Sequence, residues 1–332
     1  MSKKLLNLLY QATSREVAPK VPMVKAHLFA NDEAQLPTKS ALDDLMENQW
    51  NQKPALEALE HPWVRKNKPS NILHIPCPSS CLTEEDFVDI FPINRERQYR
   101  VPHNTKKGLD VKMIKSRHPL TLNFENSYYL VFKNAIEASL YALETHNKAL
   151  NGFRLKPSFV EPSIHAAKYW VSPWFLEKSP SPLKIKNDIF QLPTPKVPIS
   201  VITRKDDHYR NLLNQLETTT QKVDSDQIHP NFDIINTLTH TDRRSRSVIV
   251  RNWPFGILPS TTNRLLWDYD VESMSPILSD ITKNLSVHLI TFTNPTMAKR
   301  FVRNYHGKKW DPIQWGHKEK PLHEPIQAEI AN

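Results

Sequence analysis

Two stretches of this chain carry the same order of short strand and helix signals, and such a repeat restricts the fold more than any single motif could. In the first, Asn71-Ile-Leu-His-Ile-Pro76 reads as a strand ended by proline, and Thr83-Glu-Glu-Asp86 gives an N-cap with acidic first-turn residues, favoured at the positive end of a helix dipole. Phe87, Ile90 and Phe91 then fall at i, i+3 and i+4, one apolar face. After a basic, irregular gap, Ser127-Tyr-Tyr-Leu-Val-Phe132 is a strong strand. Asn134 and Glu137 form a capping-box pattern ahead of a helix lined by Ile136, Leu140 and Leu143, and Phe153 to Val160 closes the unit as a strand. In the second stretch Ser247-Val-Ile-Val-Arg-Asn-Trp-Pro254 is a strand, Thr262 to Tyr269 a short helix, and Ser286-Val-His-Leu-Ile-Thr-Phe292 another strand. Asn294-Pro295 starts the next helix with proline at its first position, Ala298, Phe301, Val302 and Tyr305 make its stripe, and Gly307 ends it.

The expected fold class is therefore α+β, with two ferredoxin-like βαββαβ domains resembling RNA-recognition motifs, joined by a partly helical, Pro-rich middle region. The boundaries expected are residues 70–160 and 246–315 for the two domains, 161–245 for the connector and 316–332 for a C-terminal tail. The connector holds Pro162, Pro173, Pro180, Pro182, Pro193, Pro195 and Pro198 and a helix candidate around Tyr209 to Thr218. Its Trp170, Trp174 and Phe175 are too apolar for a free linker, so it is expected to pack on a domain or a partner. Residues 26–69 read as an extended arm with one short helical candidate around Ala41 to Met46. Residues 1–25 hold Lys3, Lys4, Arg15, Lys20 and Lys25 against Glu16 alone, with leucines between, and resemble a mitochondrial presequence; an ordinary surface helix is the alternative.

Composition removes several function classes. The 332 residues include 5 Gly and 27 Pro, so glycine loops that cradle phosphates are nearly unavailable, and neither G-x-x-x-x-G-K-[ST] nor G-x-G-x-x-G occurs. H-E-x-x-H and G-x-S-x-G are missing too, and the 14 His are scattered, His306, His317 and His323 reading as turn and surface residues. Cys77 and Cys81, the only two cysteines, make neither a four-ligand zinc site nor a disulfide framework. No enzymatic activity, metal, cofactor or small-molecule substrate is expected. No segment approaches the roughly 20 apolar residues that span a bilayer, so any membrane attachment is peripheral.

A net charge of +9 makes a polyanion an expected partner. From Arg243 to Trp310 there are 11 basic and 4 acidic residues, so most of the surplus lies in the second domain. Strand alternation turns Ile290 and Phe292 toward the helices and Ile249, Arg251, Val287 and Leu289 outward. RNA-recognition motifs stack bases on aromatic residues at such outward positions, and this aliphatic face reads instead as a protein-contact surface. In the first domain Tyr129 takes one stacking position with Ser127 at the other, and either Ile72 and His74 or Leu73 face outward. Candidate RNA contacts are Arg243, Arg244, Arg246, Arg251, Lys299, Arg303, Lys308, Lys309 and Tyr129, with Arg95, Arg97, Arg100, Lys106 and Lys107 in the basic gap. Candidate polypeptide contacts are Ile249, Val287, Leu289, Trp170 and Trp174. Solvated surface charge is the plain alternative for each basic run.

Glu85-Asp-Phe-Val-Asp-Ile-Phe-Pro92, Val111-Lys-Met-Ile-Lys-Ser-Arg-His118, Tyr128-Tyr-Leu-Val-Phe-Lys-Asn134, Ser247 to Pro254 and Phe301-Val-Arg-Asn-Tyr-His-Gly307 resemble, in the same order, stretches of the budding-yeast Pet-type mitochondrial activators of cytochrome c oxidase subunit 3 translation. The resemblance runs from about residue 70 to 310 and rests on the order and spacing of these segments. It implies a matrix protein held peripherally on the inner membrane that acts on the leader RNA of the subunit 3 messenger. Companion translational activators and the small mitoribosomal subunit are the implied partners, and a role in group I intron splicing is implied as well. It brings no site residues of its own. The competing expectation is a protein-interaction scaffold, or a mitoribosome-associated structural protein, whose degenerate domains bind polypeptide.

Overall fold

A computed structural model describes residues 52–93, 96–101, 109–175, 207–218, 228–255, 257, 259–280, 285–309 and 324–331. The presequence-like segment and the helix candidate around Ala41 to Met46 lie outside the described residues, as do Arg95, Lys106 and Lys107. The described end of the expected arm is not extended. It forms two short helices, α1 (Glu57–Glu60) and α2 (Pro62–Lys66), and Ala58 is buried with Ile136 and Leu140.

The first unit runs β1 (Ile72–Pro76), α3 (Glu84–Asp89), β2 (Val111–Arg117), β3 (Phe124–Phe132) and α4 (Ala135–Thr145). A small hairpin follows, β4 (Ala149–Leu150) with β5 (Phe153–Arg154), and then β6 (Ser158–Phe159). Local chemistry explains the helix starts. The Asp86 carboxylate accepts the Thr83 backbone N–H at 2.7 Å, and Asn134 Oδ1 accepts the Glu137 N–H at 2.8 Å. The segment from Phe153 to Val160 is thus two short strands, of which β6 pairs with β1. The irregular basic gap contains β2, paired with β3.

The connector contains α5 (Ile164–Ala167), a 3-10 turn at Pro173–Phe175, α6 (Asp207–Thr218), α7 (Pro230–Thr239) and α8 (Asp242–Ser245). The second unit is β7 (Ser247–Arg251), α9 (Pro259–Leu265), a 3-10 turn at Trp267–Tyr269, β8 (Val271–Asp280), β9 (Leu285–Phe292), α10 (Pro295–Tyr305) and β10 (Gln327–Ile330). One addition and one correction to the sequence reading stand here. Residues 271–280 form a full strand, and the supposed tail supplies the fourth strand, whose Ala328 and Glu329 pair with Val250 and Ile249.

Both four-stranded sheets are antiparallel, with orders β2-β3-β1-β6 and β10-β7-β9-β8. Numbered within its own unit, each reads fourth-first-third-second, the strand order of an RNA-recognition motif. Each unit has a core between sheet and helices: Leu73, Phe87, Tyr128, Leu130, Phe132 and Tyr141 in the first, and Val248, Val250, Trp253, Ile290, Phe292 and Phe301 in the second. Leu73 faces that core, which resolves the first-strand register in favour of Ile72 facing outward.

Candidate nucleic-acid interface

The sheet faces that RNA-recognition motifs use for bases are closed in this protein. Ile72, Ile114, Tyr129 and Val131 from the first sheet and Ile249, Ile277, Val287 and Leu289 from the second share one core with Trp170, Trp174 and Phe175 and with Leu213, Leu216, Ile235 and Leu238 of the connector helices. Burying an aliphatic side chain of this size stabilises by about 1.5–3 kcal/mol relative to exposure, so faces built from Ile, Val and Leu draw a cover. The cover is fixed by polar contacts: Trp174 Nε1 donates to Leu120 O at 2.7 Å, and Arg117 N donates to Tyr169 O at 3.2 Å. The structure therefore brings together Ile249, Val287, Leu289, Trp170 and Trp174, and the polypeptide they bind is their own chain. Tyr129 is buried, with its ring edge-on to Trp170 at 5.3 Å and tilted on His74 at 5.1 Å. Burial pushes its hydroxyl up to about 12, and no face of the ring is left for a base.

The arginines ahead of β7 do not reach outward as expected. Arg244 is buried; its Nε donates to Ala331 O at 2.7 Å, and one terminal nitrogen donates to Trp170 O at 2.7 Å and Thr239 O at 3.4 Å, while the guanidinium lies over Phe175 at 5.1 Å. Burial lowers it to about 10, which leaves it charged at neutral pH. Arg246 is half-buried and pairs with Glu272 at 2.6 Å while donating to Phe292 O at 3.1 Å. Arg243 is half-buried, and Arg97 donates to Pro92 O at 2.6 Å with its guanidinium 4.6 Å from the Phe91 ring centre. Arg244, Arg246 and Arg97 are engaged by these contacts within the fold. Arg100 is exposed.

A second buried charge group joins the units. Glu329 on β10 accepts from Lys115 Nζ at 2.5 Å and Arg117 at 2.9 Å, both on β2, with Arg251 of β7 at 3.8 Å. Burial by itself would raise the Glu329 carboxyl, but Arg117 and Lys115 outweigh it and hold it at about 2. Burial, then the neighbouring Arg117, lowers Lys115. Beside this group a cleft of about 690 Å³ opens between the units, lined by Cys81, Glu84, Lys115, His240, Arg251 and His306 among others. Burial lowers His240 first, then the nearby Lys112 and Arg244, so that its ring is neutral at neutral pH. Among the described residues no group of three or more His, Cys, Asp or Glu is arranged to hold a metal ion, and no helix is long and apolar enough to cross a membrane.

Of the cations that the sequence assigns to the second domain, an exposed group lies on and after α10. Lys299 and Arg303 on α10, and Lys308 and Lys309 just after it, are exposed. Among the described residues none of the four has a carboxylate partner; Lys308 lies 5.3 Å from the Tyr305 ring centre. Arg264 and Arg300, counted in the basic surplus of the second domain, and Trp267 are not among the sequence candidates, and they lie on the same side. The signal that could have found the two arginines is the polar remainder of α9 and α10, once the buried stripes are assigned; Trp267, on the 3-10 turn, carries no such signal.

Residues 69–181 match the family model "Protein PET54 N-terminal domain". The chain is 26% identical over 255 residues to Protein PET54 of Saccharomyces bayanus, 74% of each chain, and 24% identical over 244 residues to Protein PET54 of Saccharomyces cerevisiae, 74% of this chain and 73% of that one. Among solved structures, RNA recognition domains 1 and 2 of Sex-lethal from Drosophila melanogaster are 10% identical, covering 79% of this chain and 99% of that chain at a TM-score of 0.19. A likeness that weak carries no weight beside the strand order itself. In sequence the chain is PET54-like, and its two sheets are built in the order of RNA-recognition motifs.

Proposed function

We propose that this protein is a non-enzymatic, RNA-binding translational activator that grips the leader of the cytochrome c oxidase subunit 3 messenger chiefly through phosphates. The observation that carries this reading is the exposed set Lys299, Arg303, Lys308 and Lys309, which is without carboxylate partners among the described residues and is attached to a PET54-like pair of RNA-recognition-motif-like units. With both sheet faces covered, base stacking on the sheets contributes nothing, and affinity rests on charge and on whatever the helix side offers. The matrix, with peripheral attachment to the inner membrane, is the compartment this reading requires. Companion activators and the small mitoribosomal subunit are its protein partners. Assistance to group I intron splicing belongs to the same reading.

The test has two arms. Binding of the full chain to the leader RNA is expected to weaken steeply as salt rises, since each neutralised phosphate releases counterions. Crosslinking in cells followed by transcript sequencing is expected to enrich the subunit 3 leader. Affinity indifferent to salt would overturn the phosphate grip, and crosslinked transcripts lacking the subunit 3 leader would overturn the target.

A further inference from the structure

Trp267 is 78% exposed, the most exposed large apolar side chain among the described residues. It is not on a loose loop. Its neighbours Leu266 and Tyr269 are buried, and Tyr269 packs edge-on against Phe301 at 5.7 Å and Tyr305 at 5.8 Å. The Tyr269 hydroxyl accepts from Asn304 Nδ2 at 2.8 Å, and Arg300 donates to the Asp268 carboxylate at 2.5 Å and to the Asp268 carbonyl at 3.4 Å. The indole is thus presented to solvent from a backbone pinned on both sides, and little conformational freedom is lost when a flat partner lands on it.

Its surroundings are cationic. The segment from Leu285 to Lys309 contains no Asp or Glu, but has Lys299, Arg300, Arg303, Lys308 and Lys309; the acids beside Trp267 are Asp268, Asp270 and Glu272. At about 100° per residue, Lys299, Arg303 and Arg300 share one exposed arc of α10, and Arg300 is the residue that reaches the turn bearing Trp267. Arg264, also exposed, lies three residues before Trp267, about one helical turn away. The Asp268 carboxylate is taken up by Arg300.

We propose that this helix-side surface of the second unit binds single-stranded RNA, Trp267 stacking one base while Arg264, Lys299 and Arg303 hold the flanking phosphates. The inference rests on the RNA-binding reading above and gives it a site on the face opposite the sheet. An exposed indole on a pinned backbone, with Asp268 taken up by Arg300 and Arg264, Lys299 and Arg303 exposed, fits a strand of bases and phosphates better than an apolar peptide, which would need a wider uncharged rim.

The experiment uses the full chain and a fluorescein-labelled single-stranded oligouridylate, read by fluorescence anisotropy across a salt series. Trp267→Ala is expected to weaken binding roughly ten- to a hundredfold, whereas Trp267→Phe, which keeps a ring, and Leu265→Ala, which only trims nearby apolar surface, stay within a few-fold of the parent. Lys299→Ala with Arg303→Ala is expected to flatten the salt slope by about 1.4. A thermal melt checks that these exposed-site variants stay folded. If the parent binds with a salt slope and Trp267→Ala binds equally well, this surface is overturned and the RNA-binding reading stands. If the parent does not bind, both fall. Equal losses for Trp267→Ala and Leu265→Ala, or loss of co-purifying protein without loss of RNA affinity, would mark a polypeptide-docking surface and overturn the proposal.

Discussion

Arg243, Arg244 and Arg246 beside β7 and the run from Lys299 to Lys309 on and after α10 are both basic in sequence, yet the fold treats Arg244 and the exposed α10 cations in opposite ways. Arg244 sits where the connector, the end of α7 and the end of the chain meet, and each contributes a backbone carbonyl to its donors: Trp170, Thr239 and Ala331. A guanidinium has five N–H donors in a rigid fork and can satisfy several such carbonyls at once, which a lysine cannot do in the same geometry. On α10 the backbone carbonyls are already used within the helix, and the buried stripe of Ala298 and Phe301 turns the opposite face to water. Cation density thus says little about availability for a ligand. What decides it is whether unsatisfied backbone acceptors lie within reach.

The largest expected effect tests the buried member of that pair. Arg244→Met leaves three carbonyls at a three-way junction without their donor, and unfolding in urea is expected to lose about 3–5 kcal/mol of stability. Reversal of Arg243 and Arg244 to glutamate would report on folding before it reported on RNA. A loss under about 1 kcal/mol for Arg244→Met would mean the junction holds without it, and the contrast with α10 would disappear.

Next in size is Glu329, the carboxylate that lets Lys115, Arg117 and Arg251 approach one another between the units. Its folded value of about 2 lies below the ordinary 4.5, so its contribution is fully present above about pH 4.5 and is lost as pH falls through 2. The gap corresponds to about 3 kcal/mol. Glu329→Gln is expected to lose that much at neutral pH and to flatten the dependence of the urea midpoint on pH over this window. A variant with the parent's acid sensitivity would show that other carboxyls carry it.

Much of the fold was legible because its signals are local. Alternation correctly separated Ile249, Val287 and Leu289 from Ile290 and Phe292, and the starts of α3, α4 and α10 were written in Thr83, Asn134 and Asn294-Pro295. β8 escaped notice because it is an edge strand, where Pro276, Glu272 and Asp280 are tolerated and the apolar alternation is diluted. β10 is four residues long and gains its place only by pairing with β7. The candidate site fared worse. That the outward faces are aliphatic was readable, but that Trp170, Leu213 and Ile235 would cover them depends on contacts between segments far apart in sequence. Tyr129 looked like a stacking residue for the same reason: its strand position was correct, and what lay on it was not local information.

The smallest effect on stability, and the sharpest on the comparison, belongs to Lys308 and Lys309. Both are exposed and follow the end of α10, where a cation gains only a few tenths of a kcal/mol from the helix dipole. Replacing both with alanine is therefore expected to shift the urea midpoint by less than about 0.5 kcal/mol equivalent, against the several lost at Arg244. If the exposed cations are the ones that meet phosphate, the same variant lowers the salt slope of RNA binding by about 1.4, roughly 0.7 for each contact removed. A slope unchanged by this pair, with stability also unchanged, would confine the phosphate grip to the α9 and α10 face around Arg264, Lys299 and Arg303. An unchanged slope after removal of those three as well would leave α10 no more engaged with RNA than the buried arginines are.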